Sequence, residues 1–435
     1  MPNLCIARVP NQPEQARKTL ADWLQYLERL HPAEIKLGLD RVGAVADRMK
    51  LDFSGHTVIT IAGTNGKGST AAFLEKLLAS SGKAVGVYRS PHLLHYNERI
   101  TVRGQPVNDT LLCQAFAAIE AKREEIPLTY FEFGTLAALQ IFAEAGLDCL
   151  ILEVGLGGRL DAVNILDADI ALITNIALDH IEWLGDNREA IGLEKAGIMR
   201  AGKPVLFGDT DMPDSVRQHA EKLGALLYCS GSAFQDSLTD NQWHWQGFDA
   251  KGRKHVLDMN ISGDSLLQSF YGNAALALQA FVLLEEEFEP LQLEEALRNT
   301  RIPGRFQLIP RTYTLVLDVA HNPHAAQKLL ANIRHSFAGK KLHVLLAMLQ
   351  GKDHQEFVKI LAPQVQQWFL AGLENSRGTA TKILYNALQN SGQKRIAVYD
   401  TVPEAFQAAE ASLDAEDVLL VTGSFYTVAG VLEQI

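Results

Sequence analysis

The stretch Thr57-Val-Ile-Thr-Ile-Ala-Gly-Thr-Asn-Gly-Lys-Gly-Ser-Thr70 constrains this chain more than any other. An apolar run, Val58–Ala62, enters a glycine-rich turn and passes directly into helical spacing over Ser69–Ser80. Gly63, Gly66 and Gly68 permit backbone angles closed to other residues. The N–H groups of the turn, Thr64 and Asn65 included, can therefore face one anion. The positive end of the following helix points to the same place. Lys67 supplies a full charge for β- and γ-phosphates, and Ser69 or Thr70 can reach a Mg²⁺ ion. Gly68 separates Lys67 from Ser69, so this is not the common G-x-x-x-x-G-K-[ST] form. A plain strand-to-helix turn with a solvated lysine is the alternative, but it leaves the joint presence of glycines, lysine and hydroxyls unexplained. Nucleotide binding is expected.

The rest of the chain repeats the strand-then-helix rhythm. Apolar runs at Val85–Tyr88, Cys149–Val154, Ile170–Thr174 and Val205–Phe207 alternate with helical patterns at Thr110–Glu125, Phe131–Ala145 and Arg188–Met199. Buried strands alternating with helices predict a parallel sheet covered on both faces. Residues 230–262 are more polar and predict an exposed β-hairpin turning at Asp249–Gly252, after which Tyr271–Leu284 predicts an apolar helix. Pro303 and Gly304 break both periodicities and suit a linker. Strands are then expected at Leu315–Val319, His343–Ala347, Trp368–Ala371, Ile396–Tyr399 and Val418–Val421. The expectation is an α/β protein: an N-terminal P-loop ATPase domain over residues 1–300 and a smaller Rossmann-like C-terminal domain over 301–435.

A formal net charge of -11 disfavours a broad nucleic-acid or anionic-membrane surface. The four cysteines, Cys5, Cys113, Cys149 and Cys229, form no C-x-x-C pair and read as free thiols in a reducing compartment. No apolar signal core opens the sequence, and Gln279 interrupts the apolar tract Ala274–Leu284. A cytoplasmic monomer acting on small molecules is expected.

In open α/β sheets ligands sit beyond the carboxyl ends of strands. Glu153 ends one such strand and precedes Gly155, Gly157 and Gly158; Ser90 and His180 follow others. A sparse set of this kind suffices for Mg²⁺, which keeps several waters and phosphate oxygens. Taken singly, His180 reads equally as a structural histidine and Ser90 as a loop cap. Lys195, in Leu193-Glu-Lys-Ala-Gly197, reads first as an exposed helical lysine. Asn273 could bond an adenine edge or phosphate, or cap a helix. Arg305 could reach phosphates, or make a surface ion pair. Asp318 could touch the nucleotide, or close a strand-end turn.

The chain also resembles a known family. Gly63–Ser69 looks like the phosphate loop of the Mur ligase superfamily, and more narrowly of its folylpolyglutamate synthase and dihydrofolate synthase branch. Leu37-Gly-Leu-Asp-Arg41, Ser90-Pro-His-Leu93, Glu98-Arg-Ile100, Glu153–Asp161, Asp179-His180, Glu194–Ile198, Pro303-Gly-Arg305 and Asp318–Asn322 follow in the family's order. Arg89 departs from the pattern, placing a charge where members often carry a small residue. The resemblance implies ATP-dependent ligation of L-glutamate to dihydropteroate and to the γ-carboxylate of folates. It implies Ser90, Glu153 and His180 as magnesium ligands, a carbamylated Lys195, and ATP contacts from Asn273, Arg305 and Asp318. Lys67, Lys195 and His180 would then be the catalytic groups. It places dihydropteroate against Arg29, Leu30, His31 and Pro32, against Thr129, Tyr130, Phe131 and Glu132, and against Leu160, Asp161 and Ala162. Tyr130 and Phe131 could stack on a flat heterocycle while Asp161 accepts from its N–H groups, although both aromatics also suit a helix core. His321 and Ser424 are candidates for the incoming glutamate. A ligase for a cell-wall precursor or another carboxylate, and a slowly hydrolysing nucleotide-binding regulator, are the competing functions.

Overall fold

The computed structural model describes residues 18–31, 35–285 and 288–435. Among the described residues, seventeen strands fall into three sheets. The first contains β1 (Thr57–Ala62), β2 (Val85–Tyr88), β3 (Ile100–Val102), β4 (Gln105–Pro106), β5 (Cys149–Glu153), β6 (Ile170–Ile173), β7 (Pro204–Phe207) and β8 (Leu226–Cys229). Their order is β4-β3-β2-β5-β1-β6-β7-β8. Strands β2, β5, β1, β6, β7 and β8 run parallel; β3 and β4 add an antiparallel edge that the apolar pattern did not reveal.

The apolar runs lack alternation because both faces are covered. Ile59 and Ile61 of β1 join a core with Phe73 and Leu77 of the helix Lys67–Ser80 and with the helix Ser265–Leu284. Val58 and Ala62 point to the opposite core, with Phe116, Phe133 and Phe142. Register then decides where chemistry can occur. Ile61 lies opposite both Glu153 and Leu172, and Tyr88 opposite Leu152. Glu153 therefore ends its strand at the carboxyl edge of the sheet, with Ser90 one residue and Gly63 and Thr174 two residues beyond that level.

Residues 230–262 differ from expectation. They form a three-stranded antiparallel sheet, β9 (Gln235–Thr239), β10 (Gln242–Phe248) and β11 (Lys254–Asn260). It is not simply exposed. Trp243, Trp245, Leu257 and Met259 alternate onto one face and bury against the helix Ser265–Leu284. Gln279, fully buried in that helix, donates to the Phe248 carbonyl at 2.7 Å, which gives the polar break in the apolar tract its reason. Ser265–Leu284 is long and apolar enough to cross a membrane, but it is a core helix here, 67% of its apolar window being buried.

From Thr300 to Phe306 the chain passes to the C-terminal sheet, β12 (Gln307–Pro310), β13 (Thr314–Leu317), β14 (Lys341–Leu346), β15 (Val365–Ala371), β16 (Ile396–Tyr399) and β17 (Asp417–Thr422). The order is β12-β13-β17-β14-β15-β16, parallel except for the edge strand β12, which sequence patterning missed. Two apolar layers again sandwich it. Among the described cysteines, Cys113, Cys149 and Cys229 are free thiols.

The meander should behave as part of the core. Trp245→Ala is expected to cost about 3–5 kcal/mol in urea unfolding. A loss below about 1 kcal/mol would mean that β9–β11 is an appendage.

Candidate active site

The helix after β1 begins at Lys67, two residues earlier than its apolar pattern suggests, with Gly66 as left-handed N-cap. A Cβ at Gly63 (φ 143°) would stand 1.8 Å from Thr174 Oγ1, and one at Gly66 (φ 87°) would stand 2.3 Å from Asn273 Nδ2. Both positions therefore require glycine. The segment after β6 stitches the loop in place. Asn65 N–H donates to Asn175 Oδ1 at 3.1 Å, while Thr174 Oγ1 and Asn175 Nδ2 donate to the Asn65 carbonyl at 2.7 and 2.9 Å. Asn273 lies past a kink at Phe270 rather than at a helix start, and donates to Gly66 O and Thr70 Oγ1 at 3.4 and 3.2 Å. It braces the loop from behind.

A cavity of about 130 Å³ opens above the loop. Lys67, Ser90, Glu153, His180, Lys195 and Arg305 all line it, joined by Asp179 and His321. Lys67 Nζ folds back to the carbonyls of Gly63 (3.0 Å) and Thr64 (3.3 Å). Lys195 Nζ donates to the same Gly63 carbonyl at 3.0 Å. Lys195 is thus 4% exposed and faces the phosphate loop, contrary to the reading of an exposed helical lysine. Burial, with the Lys67 charge beside it, pushes Lys195 down to about 7. Burial likewise lowers Lys67 and Arg305 and raises Glu153, which Lys67, Arg305 and Arg89 oppose. Arg89 is matched within the fold: it meets buried Glu75 of the phosphate-loop helix at 2.6 Å.

His180 sits at φ 52°, and burial with nearby Lys352 holds it down near 4, so the imidazole is neutral at physiological pH. Its neighbour Asp179 opposes burial through contacts with His321 (3.6 Å) and Lys352 (2.7 Å), which keep its carboxyl well below the usual range. Asn322 Nδ2 also donates to Asp179 at 3.0 Å and to Asn65 Oδ1 at 2.9 Å. Asp179, Thr174, Asn175, Asn322 and Lys352 were not among the residues singled out for roles. Asp179 and Asn322 stood inside recognised motifs; Lys352, in a turn after β14, carried no signal.

A second cavity of about 260 Å³ lies between the two domains, lined by Asn65, Asn273, Arg305, Asp318, His324 and Lys328 among others. Arg305 lies over the Phe425 ring at 5.2 Å and borders both cavities. Asp318 faces this cavity while its oxygens accept from Phe306 and Ala320 N–H, each at 2.9 Å, so the strand-end turn and a cavity-facing place coexist. Ser424 is 2% exposed and its Oγ caps its own helix by accepting from Thr427 N–H at 3.0 Å, which leaves it poorly placed for a ligand.

The acceptor candidates form a separate group. Thr129 and Glu132 make a capping box, and Glu132 pairs with Arg41 at 2.8 Å. Tyr130 and Phe131 are half-buried; a Cβ on Gly155 would meet Phe131 at 2.7 Å. Asp161, 3% exposed and pushed up to about 6 by burial, accepts from Leu156 and Val163 N–H at 2.8 and 3.1 Å and so shapes its own loop. Ala162 and His31 are buried, Leu30 and Leu160 partly so, and Arg29 is exposed. Pro32 lies outside the described residues.

Two family profiles match: "Mur ligase middle domain" over residues 61–278 and "Mur ligase, glutamate ligase domain" over 304–425. An Escherichia coli dihydrofolate synthase/folylpolyglutamate synthase is 43% identical over 99% of this chain and 98% of its own. This chain belongs to the dihydrofolate synthase/folylpolyglutamate synthase family of Mur ligases. The solved E. coli FolC in complex with DHPP and ADP superposes with a TM-score of 0.90 at 42% identity, covering 97% of this chain and 99% of that one. A bifunctional folylpolyglutamate synthase/dihydrofolate synthase with Mn, AMPPNP and L-glutamate bound gives 0.87 at 43% identity, with the same coverage.

Gly63→Ala should leave the fold intact but displace the loop. We expect ATP affinity to fall by more than about tenfold, or ~1.4 kcal/mol. Calorimetric titration with unchanged affinity would contradict the loop geometry.

Proposed function

We propose that this protein forms an amide between the amine of L-glutamate and an activated carboxylate, with dihydropteroate and the γ-carboxylate of folates as acceptors and ATP as the activating substrate. One observation carries the reading: the phosphate loop, the strand-end set Ser90, Glu153 and His180, and Arg305 of the opposite domain converge on a single cavity. The cell-wall alternative loses ground because the full-length relative is named for folate chemistry.

The donor set fits a hard cation. Ser69 Oγ is buried with no hydrogen-bond partner among the described residues, and a Cβ on Gly68 would lie 3.4 Å from Glu153 Oε2. Ser90, Glu153 and His180 line the phosphate-loop cavity, while Ser69 faces the neighbouring inter-domain cavity, and such a sparse oxygen and nitrogen set suits Mg²⁺. Ser69, Ser90, Glu153 and neutral His180 would hold it, and when bound it would neutralise charge on the triphosphate.

The remaining steps belong to the protein. Loop N–H groups and Lys67 hold the β- and γ-phosphates; Arg305, with its planar fork, offsets the charge that develops as the acceptor carboxylate attacks the γ-phosphorus and ADP leaves. The product is an acyl phosphate. The amine of glutamate attacks its carbonyl carbon, and inorganic phosphate departs with one former carboxylate oxygen. Acyl phosphates hydrolyse, so the domain contacts through Asp179, Asn322 and Lys352 serve to exclude water. His321, which borders the cavity, is offered for the incoming glutamate. We assign Lys195 as the carbamylated residue. Carbon dioxide adds to a neutral amine, and burial leaves this amine neutral above about 7. The carbamate anion would then sit beside Lys67. The protein is read as a cytoplasmic monomer.

Phosphate release should require Mg²⁺, L-glutamate and dihydropteroate together; release that ignores both acceptor and glutamate would refute ligation. Lys195→Ala should lower turnover by about a hundredfold or more. Wild-type activity in bicarbonate should fall as the pH drops below about 7, because the ammonium form cannot take up carbon dioxide. Normal turnover of Lys195→Ala in bicarbonate-free buffer would exclude the carbamate.

A further inference from the structure

The motif Leu37-Gly-Leu-Asp-Arg41 takes no part in the phosphate cavity, yet it contains an ion pair with very little solvent around it. Arg41 Nη2 donates to Glu132 Oε1 at 2.8 Å, across 91 positions of sequence, and to the Lys36 carbonyl at 2.7 Å. The side chains are 17% and 4% exposed. Burying such a pair is costly, and a helix cap alone does not require it. Thr129 already accepts from Glu132 N–H at 3.2 Å, and the other Glu132 oxygen accepts from Thr129 N–H at 2.7 Å. Glu132 is therefore divided: one oxygen closes the N-terminus of its own helix, and the other holds Arg41.

The surroundings indicate what the second bond accomplishes. Glu132 lies in the first turn of the helix that displays Tyr130 and Phe131. Phe131 presses against Gly155, where any side chain would collide with its ring. Three residues before Arg41, Gly38 N–H donates to the Leu160 carbonyl at 3.2 Å, at the edge of the loop shaped by Asp161. Arg41 and its motif thus join residues 36–38, the helix start at 129–132 and the loop at Leu160. The last two bound the acceptor in the reading above, on which this inference rests.

We propose that Arg41 is a positioning residue for the acceptor's flat heterocycle: its bridge from Glu132 to the Lys36 carbonyl sets the spacing between the Tyr130–Phe131 pair and the 155–162 loop. It touches neither nucleotide cavity, so its effect is confined to one substrate.

Steady-state kinetics with ATP, L-glutamate and dihydropteroate test this. Arg41→Gln should raise KM for dihydropteroate by about tenfold or more while KM for ATP stays within about twofold. Arg41→Lys, whose ammonium can still reach Glu132, should recover much of the loss and covers the case in which the glutamine variant folds poorly. Glu132→Gln should act like Arg41→Gln, and the double variant should be little worse than either single one. An unchanged dihydropteroate KM in Arg41→Gln would overturn the proposal. So would parallel rises in both KM values with a lowered Tm, the mark of a purely structural role. A wild-type enzyme indifferent to dihydropteroate would instead refute the acceptor reading itself.

Discussion

Two lysine side-chain nitrogens, of Lys67 and Lys195, share one backbone oxygen, the Gly63 carbonyl, in a buried cleft. Such an arrangement is unfavourable by itself, since a buried charge without a partner costs several kcal/mol. It becomes tenable because Glu153 ends the adjacent strand and Asp179 closes the rim, and it becomes useful because the remaining positive field can be met by phosphate oxygens. The sheet register that brings Gly63 and Glu153 to the same carboxyl edge is thus an electrostatic requirement as much as a packing one.

The same economy governs the domain contact. Asn65, in the phosphate loop, exchanges hydrogen bonds with Asn322 at 2.9 and 3.2 Å, and Asp179 receives Lys352 from the C-terminal domain. Arg305 leaves the linker and borders both cavities. Groups that line the cavity, Asn65 and Asp179 among them, therefore also make the contacts between the domains. A ligand that engages Asn65 or Arg305 bears directly on closure, and this suits a reaction whose intermediate must be kept from water.

Much of this was readable in the residues. The phosphate loop and its flanking strand carried their own physical signature, and the parallel strands announced themselves as unbroken apolar runs covered on both faces. The edge strands β3, β4 and β12 did not, because short partners at a sheet border need no apolar run. The meander at 235–260 was misjudged as exposed: its polar composition masked an alternation that buries Trp243 and Trp245. At the site, strand-end logic found Glu153 but could not reveal that Lys195 is buried, since a single helical lysine carries no mark of its tertiary surroundings. Lys352 and Asn322 reach the site only through contacts between domains, which sequence spacing does not encode. Asp161 and Thr129 turned out to shape their own loops, so their part in acceptor binding is to present neighbours as well as atoms.

The central claim is that a carboxylate bound in this cleft is activated by transfer of the γ-phosphoryl group. Dihydropteroate labelled with ¹⁸O at both carboxylate oxygens, incubated with ATP and L-glutamate, reads this directly in the released phosphate. Each inorganic phosphate should carry one labelled oxygen, because the bond broken on amide formation joins carbon to the bridging oxygen. Phosphate free of label, with amide still formed, would contradict the account.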